Sequence, residues 1–304
     1  MTRPTLTTLA LLVCVPLTVT ACTTATENAG GSTAVPTASA AAQQAGAGAA
    51  LVPQKIKDKG EIAFAHDATY PPFEYFDKDN TTMIGFDVEL ADAVAGKLGL
   101  KAKHVNTGFD TILAGLGSGK FDAGMSAFTV TPERSKSVDF VVYFSGGTAV
   151  AVPKGNPKKL SLDDLSLCGQ KVSAQKGSIQ GLNQMPALSK KCTAAGKPEL
   201  TITLYPSQND ANLALTSGRV DAIAADSVSL AYQGKLANGT FELAPGADFE
   251  PADGGIALAK NSPLTPAVAQ AVKELSEDGT LQKLGVKWSL PAQVFTAQDG
   301  TVVK

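Results

Sequence analysis

One octapeptide, written twice, constrains the fold of this chain more than any other feature. Leu116-Gly-Ser-Gly-Lys-Phe-Asp-Ala123 returns 99 residues later as Leu215-Thr-Ser-Gly-Arg-Val-Asp-Ala222, and an apolar stretch follows each copy. Each copy reads as the end of a helix, a glycine stop, a basic residue and then a buried strand. The interval is too long for a solenoid repeat. Two similar lobes of one α/β architecture are therefore expected.

The segments between the copies agree. Glu61-Ile-Ala-Phe-Ala65 has the two-residue period of a strand. Phe86, Leu90, Val94 and Leu98 recur at every fourth position, with Ala91 and Ala95 beside them, which predicts a helix with one apolar face. Asp87 and Glu89 lie near its start, where the helix dipole favours negative charge. Lys101–Val105 and Phe121–Met125 read as further strands, Thr111–Leu116 as a short helix. Strands alternating with helices predict a mixed, mainly parallel sheet flanked by helices in each lobe. The 304 residues suffice for two modest domains.

The first residues look like an address. Arg3 gives a thin positive start, and Leu9–Leu17 is an apolar run too short to span a bilayer. Val19-Thr-Ala-Cys22 follows, and it resembles the lipobox of bacterial lipoproteins, in which the cysteine becomes the lipid-bearing first residue. Residues 1–21 are then a signal peptide. Residues 22–53 are rich in Ala, Thr, Gly and Ser and read as a flexible tether. The expected location is outside the cell, held by lipid at the outer face of the cytoplasmic membrane. Export leaves Cys168 and Cys192 as the two remaining cysteines, most simply a structural disulfide. Closing that loop is worth ~3 kcal/mol in the chain-entropy model.

Composition excludes several classes. With 26 basic and 28 acidic residues no field of either sign points to nucleic acid. His66 and His104 are the only histidines and stand far apart in sequence, and no short Cys/His spacing suggests a metal or another cofactor.

Ligands of open α/β sheets bind beyond the carboxyl ends of the strands. The first strand leads to Asp67 and Tyr70; another ends in Ser126-Ala-Phe-Thr129 and leads to Arg134. In the second lobe, Lys171–Ala174 leads to the Gly177-Ser178 turn, and a later strand ends at Asp226. Arg134 is a planar, permanently charged fork that grips a carboxylate with two hydrogen bonds. Asp226 can take an ammonium from the opposite lobe, and backbone N–H groups at Gly177-Ser178 can cradle an anion. Tyr70 and Phe109 can cover an aliphatic stem. Each residue also has a structural reading: Asp67 as a turn cap, Phe109 as a staple at a helix start, Asp226 as a helix cap, Phe73 as core.

Asp67-x-x-Tyr70-Pro-Pro-Phe73, Gly85-Phe-Asp-Val-Glu-Leu90, Phe109-Asp-x-Ile112 and Lys120-Phe-Asp122 stand in one order. So do Thr129-x-Thr-x-Glu-Arg134, Val138-Asp-Phe140, Gly169-x-Lys-Val172, Gly177-Ser178 and Val220-Asp-Ala-Ile223. Together, over about Gln54–Ser289, they resemble the extracytoplasmic solute-binding proteins of polar amino acid ABC importers, family 3. The resemblance implies a two-lobed, periplasmic-binding-protein-like (type II) fold. Lobe one would be residues 54–146 plus 256–304 and lobe two 147–255, with hinge crossings near Phe144–Val150 and Asp253–Ala257. It implies that Arg134, helped by Ser126, Thr129 and Gly177-Ser178, binds an α-carboxylate. Asp226 would bind the α-ammonium, Tyr70 and Phe109 would sandwich the side chain, and Asp67 would face its end. The implied partners are a free amino acid of the Gln, Arg, Lys, His or Glu class and an ABC permease with its ATPase. The chain is expected to be monomeric, without catalytic residues or cofactor. An exported enzyme of the same fold, similar to cyclohexadienyl dehydratases, and a ligand-sensing receptor module are the alternatives. Three positions depart from the family pattern. Lys176 stands in the turn beside Gly177, Ala225 precedes Asp226, and Phe144-Ser-Gly-Gly-Thr148 lacks the usual proline-tyrosine.

Overall fold

The structure is a computed structural model that describes residues 45–246, 248–296 and 299–304. The expected signal peptide, Cys22 and most of the expected tether lie outside the described residues.

The described chain opens with a 3-10 turn (Ala47–Leu51), α1 (Gln54–Lys59) and β1 (Glu61–His66). A small antiparallel sheet of β2 (Thr69–Tyr70), β3 (Glu74–Phe76) and β4 (Met83–Ile84) precedes α2 (Phe86–Lys97). Then come β5 (Lys101–Asn106), α3 (Phe109–Gly117), β6 (Ala123–Gly124) and α4 (Pro132–Ser135). The long β7 (Val138–Pro153) leads to β8 (Lys171–Gln175), a π turn (Gln180–Gln184), α5 (Met185–Ala194), β9 (Thr201–Tyr205) and α6 (Gln208–Thr216). Next are β10 (Ala222–Asp226), α7 (Ser227–Leu236) and β11 (Phe241–Leu243). β12 (Phe249–Ala259) returns, followed by α8 (Thr265–Glu277), α9 (Thr280–Lys287), a 3-10 turn (Ala292–Val294) and β13 (Val302–Val303). None of the described helices is long and apolar enough to cross a membrane.

The main sheet runs β5-β1-β6-β12-β7-β10-β8-β9, with β11 and β13 added along β7. At one end β5, β1 and β6 are parallel; at the other β10, β8 and β9 are parallel. These are the two lobes. The expected two sheets are in fact one hydrogen-bonded sheet, because β7 and β12 pass between the lobes as an antiparallel pair. The first part of β7, from Val138, pairs with the end of β12, and its last residues pair with β10 and β11. Both passing strands carry a glycine pair, Gly146-Gly147 and Gly254-Gly255, and the register of β12 on β7 shifts between Gly254 and Gly255.

α2 is buried on more than the single face its periodicity predicts. Phe86, Leu90, Ala91, Val94 and Ala95 are fully covered as expected, but Asp87, Val88 and Ala93 are buried too, with α8 and α9 packed on the same helix. Each large apolar side chain removed from water there contributes ~1.5–3 kcal/mol. Gly85 starts the helix at φ +136, where a Cβ would sit 2.1 Å from the Phe73 carbonyl oxygen; only glycine fits. Under the other face, α3 lays Ile112 and Leu116 against Phe128, Phe140 and Ala257.

The tether is shorter than its composition suggests. Residues 45–53 pack on lobe one: Gly46 N–H donates to the Lys97 carbonyl at 2.7 Å, and Val52 is buried. Gly48 makes this possible, since a Cβ there would meet Leu98 at 2.9 Å and the Ala267 carbonyl at 3.0 Å. Small residues cannot make a core of their own, but they allow close docking on one.

In lobe two, Cys168 and Cys192 form the expected disulfide, tying the loop before β8 to α5 with a Cα–Cα distance of 5.6 Å.

Candidate ligand-binding site

A small cavity lies where the strand ends of the two lobes face each other. Tyr70, Phe109, Ser126, Thr129 and Arg134 line it from lobe one; Ser178 and Asp226 line it from lobe two. Asp67 and Gly177 are next to it, not in its wall.

Arg134 owes its position to α4. Thr131 caps that turn, its hydroxyl accepting from Arg134 N–H at 3.2 Å, and Pro132 occupies the first helical position. The guanidinium donates to the Thr129 carbonyl at 2.7 Å and to the Gly177 carbonyl of lobe two at 3.0 Å. Phe109 and Phe128 stack at 4.6 Å, and the guanidinium carbon lies 5.6 and 5.5 Å from their ring centres. The aromatic faces stabilise the cation. Burial draws its pKa down to about 10, while Asp226 pulls it up; it stays charged at neutral pH. Phe109 is thus a platform for Arg134 as well as a cavity wall.

Asp226 occupies the N-cap position of α7, yet its side chain makes no capping hydrogen bond. Its Oδ2 accepts from the Tyr70 hydroxyl at 2.6 Å and its Oδ1 from Gln180 Nε2 at 3.1 Å. Tyr70 O–H in turn accepts from Asp226 N–H at 3.0 Å, so this tyrosine is a strut between the lobes. Its ring packs on Phe73, which is core. Burial raises the Asp226 carboxyl, and Tyr70, Gln180 and Arg134 hold it down.

Asp67 is engaged on every side. Its Oδ1 accepts from Thr69 Oγ1 at 2.8 Å; its Oδ2 accepts from Phe109 N–H at 2.9 Å and from Gln175 Nε2 of lobe two at 2.8 Å. It serves the start of α3 and an interlobe bond, and Gln175 stands at the cavity wall in its place. At the Gly177-Ser178 turn, Gly177 adopts φ +85 and turns its carbonyl, not its N–H, toward Arg134. Ser178 N–H is bonded to the Gln175 carbonyl at 3.2 Å. The turn therefore presents an acceptor and a hydroxyl, where an N–H cradle was expected. Lys176 points outward and pairs with Asp110 of lobe one at 2.8 Å, spanning the cleft mouth.

Behind the cavity lies a pair of buried carboxyls. Asp87, expected to complement a helix dipole, is fully buried and accepts from Tyr143 O–H at 2.8 Å and from Ala127 N–H at 2.9 Å. Ala127 sits at φ +46, and that hydrogen bond helps hold its left-handed backbone. Glu74 accepts from Ser126 Oγ at 2.6 Å, and no donor reaches its Oε2. Burial and the neighbouring Asp87 push Glu74 well above its ordinary range; it holds the proton of the pair. Burial raises Asp87 to about 6. Together the two acids fix the strand-end turn that carries Ser126 and Thr129.

Sequence reading missed Gln175, Gln180 and Gln208, all of which line the cavity. Gln175 ends β8 and was within reach of the strand-end rule; Gln180 and Gln208 carry no local signal. The histidines, distant in sequence, touch: His66 Nε2 and His104 Nδ1 are 3.0 Å apart on paired strands. Among the described residues no group of three or more His, Cys, Asp or Glu side chains is placed to hold a metal ion.

Two α/β lobes joined by two passing strands, with a polar cavity between facing strand ends, define a two-lobed solute-receptor architecture. The chain belongs to the bacterial extracellular solute-binding proteins, family 3, whose family model matches residues 62–291. It is 31% identical over 241 residues to the arginine-binding protein ArgT of Corynebacterium glutamicum, covering 79% of this chain and 78% of that protein. It is 33% identical over 236 residues to the L-cystine-binding protein TcyJ of Escherichia coli, covering 77% and 84%. Among solved structures, an ancestral arginine-binding protein bound to arginine superposes with a TM-score of 0.68 at 35% identity, covering 75% of this chain and 98% of that one.

Proposed function

We propose that this chain is the substrate-binding lipoprotein of an ABC importer, capturing a polar amino acid between its lobes and delivering it to a membrane permease. The observation that carries the reading is the placement of Arg134 and Asp226 on opposite walls of one cavity, each on a different lobe. A zwitterion satisfies both at once: its carboxylate takes the guanidinium fork, and its ammonium takes the aspartate. Thr129 supplies a hydroxyl to the carboxylate, Ser126 and Ser178, whose protons go to Glu74 and the Gln175 carbonyl, shape the wall around it, and Tyr70 and Phe109 flank the stem. Asp67, already bonded three times, acts through Gln175. Relatives named for arginine and cystine support the ligand class.

The lobes divide at residues 146–147 and 255–256, and each boundary falls within or beside a glycine pair. Closure is favoured by contacts that exist only when the lobes meet, and a permease with its ATPase reads the closed form. Cys22 anchors the mature protein to the outer face of the cytoplasmic membrane. The protein works as a monomer and does not transform its ligand. The buried acid Glu74 bonds Ser126 behind the wall and does not line the cavity.

Calorimetric titration of the purified protein and of Arg134→Ala with L-arginine and L-glutamine tests the carboxylate assignment. Truncating a buried, hydrogen-bonded charge costs ~2–5 kcal/mol, so affinity is expected to fall by at least about thirtyfold. A variant that binds as tightly as the parent refutes the assignment.

A further inference from the structure

The wall contributed by α6 contains a polar atom that the protein leaves without a partner. Gln208 is fully buried and lines the cavity, and no hydrogen bond reaches its Oε1. Its Nε2 donates to Asn212 Oδ1, one turn along the helix, at 3.0 Å. From there a chain of hydrogen bonds crosses to α7. Asn212 Nδ2 donates to Gln233 Oε1; Gln233 Nε2 donates to Ser229 Oγ at 2.6 Å; Ser229 Oγ donates to the Pro71 carbonyl at 2.7 Å.

The direction of this chain is fixed at its far end. A backbone carbonyl only accepts, so Ser229 gives its single proton to Pro71 and must accept from Gln233. Each amide then turns its NH2 toward Ser229's side of the chain and its C=O toward Gln208's side. The order propagates to Gln208, whose NH2 is committed to Asn212 and whose carbonyl oxygen is left to the cavity. Pro71 belongs to lobe one and Ser229 to lobe two, so the lock exists only while the lobes touch. The Gln208 backbone N–H also donates to Thr69 Oγ1 at 3.3 Å, and Thr69 donates to Asp67, which ties the start of α6 to lobe one.

We propose that Gln208 is a specificity-determining residue whose Oε1 accepts a hydrogen bond from a side-chain N–H of the bound amino acid; this rests on the amino acid reading above. The site therefore selects side chains that donate, such as a guanidinium, an ammonium or a primary amide. A carboxylate side chain meets a lone pair with a lone pair, and an aliphatic one leaves a buried acceptor unpaired. Asn212, Gln233 and Ser229 are positioning residues that keep the amide from turning over.

The test is calorimetric titration of the purified full-length protein with L-arginine, L-glutamine, L-glutamate and L-norleucine. Gln208→Met keeps the volume and removes the acceptor; it should weaken the preferred donor ligand about 10–100-fold and strengthen norleucine, which no longer strands a buried acceptor. Ser229→Ala, remote from the ligand, frees the chain to reverse and should narrow the glutamine-over-glutamate preference at least about fivefold. Equal losses for all four ligands in Gln208→Met would reduce the residue to packing and overturn the inference. So would a parent protein that binds glutamate as tightly as glutamine; both results leave amino acid binding intact. If Gln208→Met does not fold, Ser229→Ala decides alone, an unchanged preference overturning the proposal. A parent protein that binds no amino acid overturns the inference together with the function it rests on.

Discussion

Burial drives His66 and Asp87 in opposite directions along the pH scale. His66 lies under its strand against His104, and desolvation lowers it from 6.5 to about 3. The unfolded chain takes up that proton first, so its contribution to stability is lost as pH falls from 6.5 toward 3. Asp87 is raised from 3.8 to about 6, so its contribution is present at low pH and lost as pH rises through about 6. Between pH 6.5 and about 5 the histidine costs ~2 kcal/mol and the aspartate offsets ~1 kcal/mol. Urea unfolding at about pH 7 and pH 5 should separate them. Relative to the parent, His66→Phe should shift the change in stability from pH 7 to pH 5 by ~2 kcal/mol in favour of pH 5, and Asp87→Asn by ~1 kcal/mol in favour of pH 7. Matching slopes in both variants and the parent would remove these two groups from the pH response. At this scale the sequence was legible where chemistry is directional. Asp226 stood at a strand end and Arg134 on the segment that follows one, and the structure puts both on the cavity. Asp87 was misread because a carboxylate in a first helical turn has a sufficient local explanation; its partners Tyr143 and Ala127 are 56 and 40 residues away.

The disulfide and the passing strands are the elements with the sharpest local consequences. Cys168 and Cys192 stand 24 residues apart in sequence, and neither lines the cavity. Replacing both by serine should cost ~2–4 kcal/mol in unfolding free energy and leave ligand affinity unchanged. A loss of affinity at full folding would mean that the bridge shapes the site. Gly254 is a different case. A Cβ there would lie 1.8–2.4 Å from the Phe144 ring, on the strand pair that joins the lobes. Gly254→Ala should destabilise by ~1–3 kcal/mol through overpacking and shift the lobe angle; a normal melting temperature would show that Phe144 yields freely. Helices and strands were legible to within a few residues because their periodicities are local. The merging of two sheets into one was not, since it depends on pairing between β7 and β12, about a hundred positions apart. Residues 45–53 were hidden for a related reason: an Ala/Gly stretch docks only because α2 and α8 offer a surface.

At the scale of the whole molecule, the side-chain bonds that cross the cavity or its mouth among the described residues are not equal. Tyr70–Asp226 and Asp67–Gln175 are shielded, as is the Ser229–Pro71 bond. Arg134 reaches Gly177 from beneath stacked rings. Lys176–Asp110 lies at the surface, where the lysine is 62% exposed, and water and salt screen such a pair to little net effect. Lys176→Ala should therefore change ligand affinity by less than about fivefold. Asp226→Ala, which strands a buried ligand ammonium, should reduce it by about a hundredfold or more. Titration of both variants checks the ranking, and a larger effect from Lys176 would place the closing force at the cleft mouth instead of its floor.

Thermal shift of the purified protein against the twenty amino acids and their decarboxylated amines tests the central claim most directly. A ligand that binds only the native state raises the melting temperature once it exceeds its dissociation constant. Arg134 opposite Asp226 predicts a clear shift with at least one amino acid whose side chain donates a hydrogen bond, and none with the matching amine. An equal shift from the amine, or no shift from any amino acid, would contradict the zwitterion clamp.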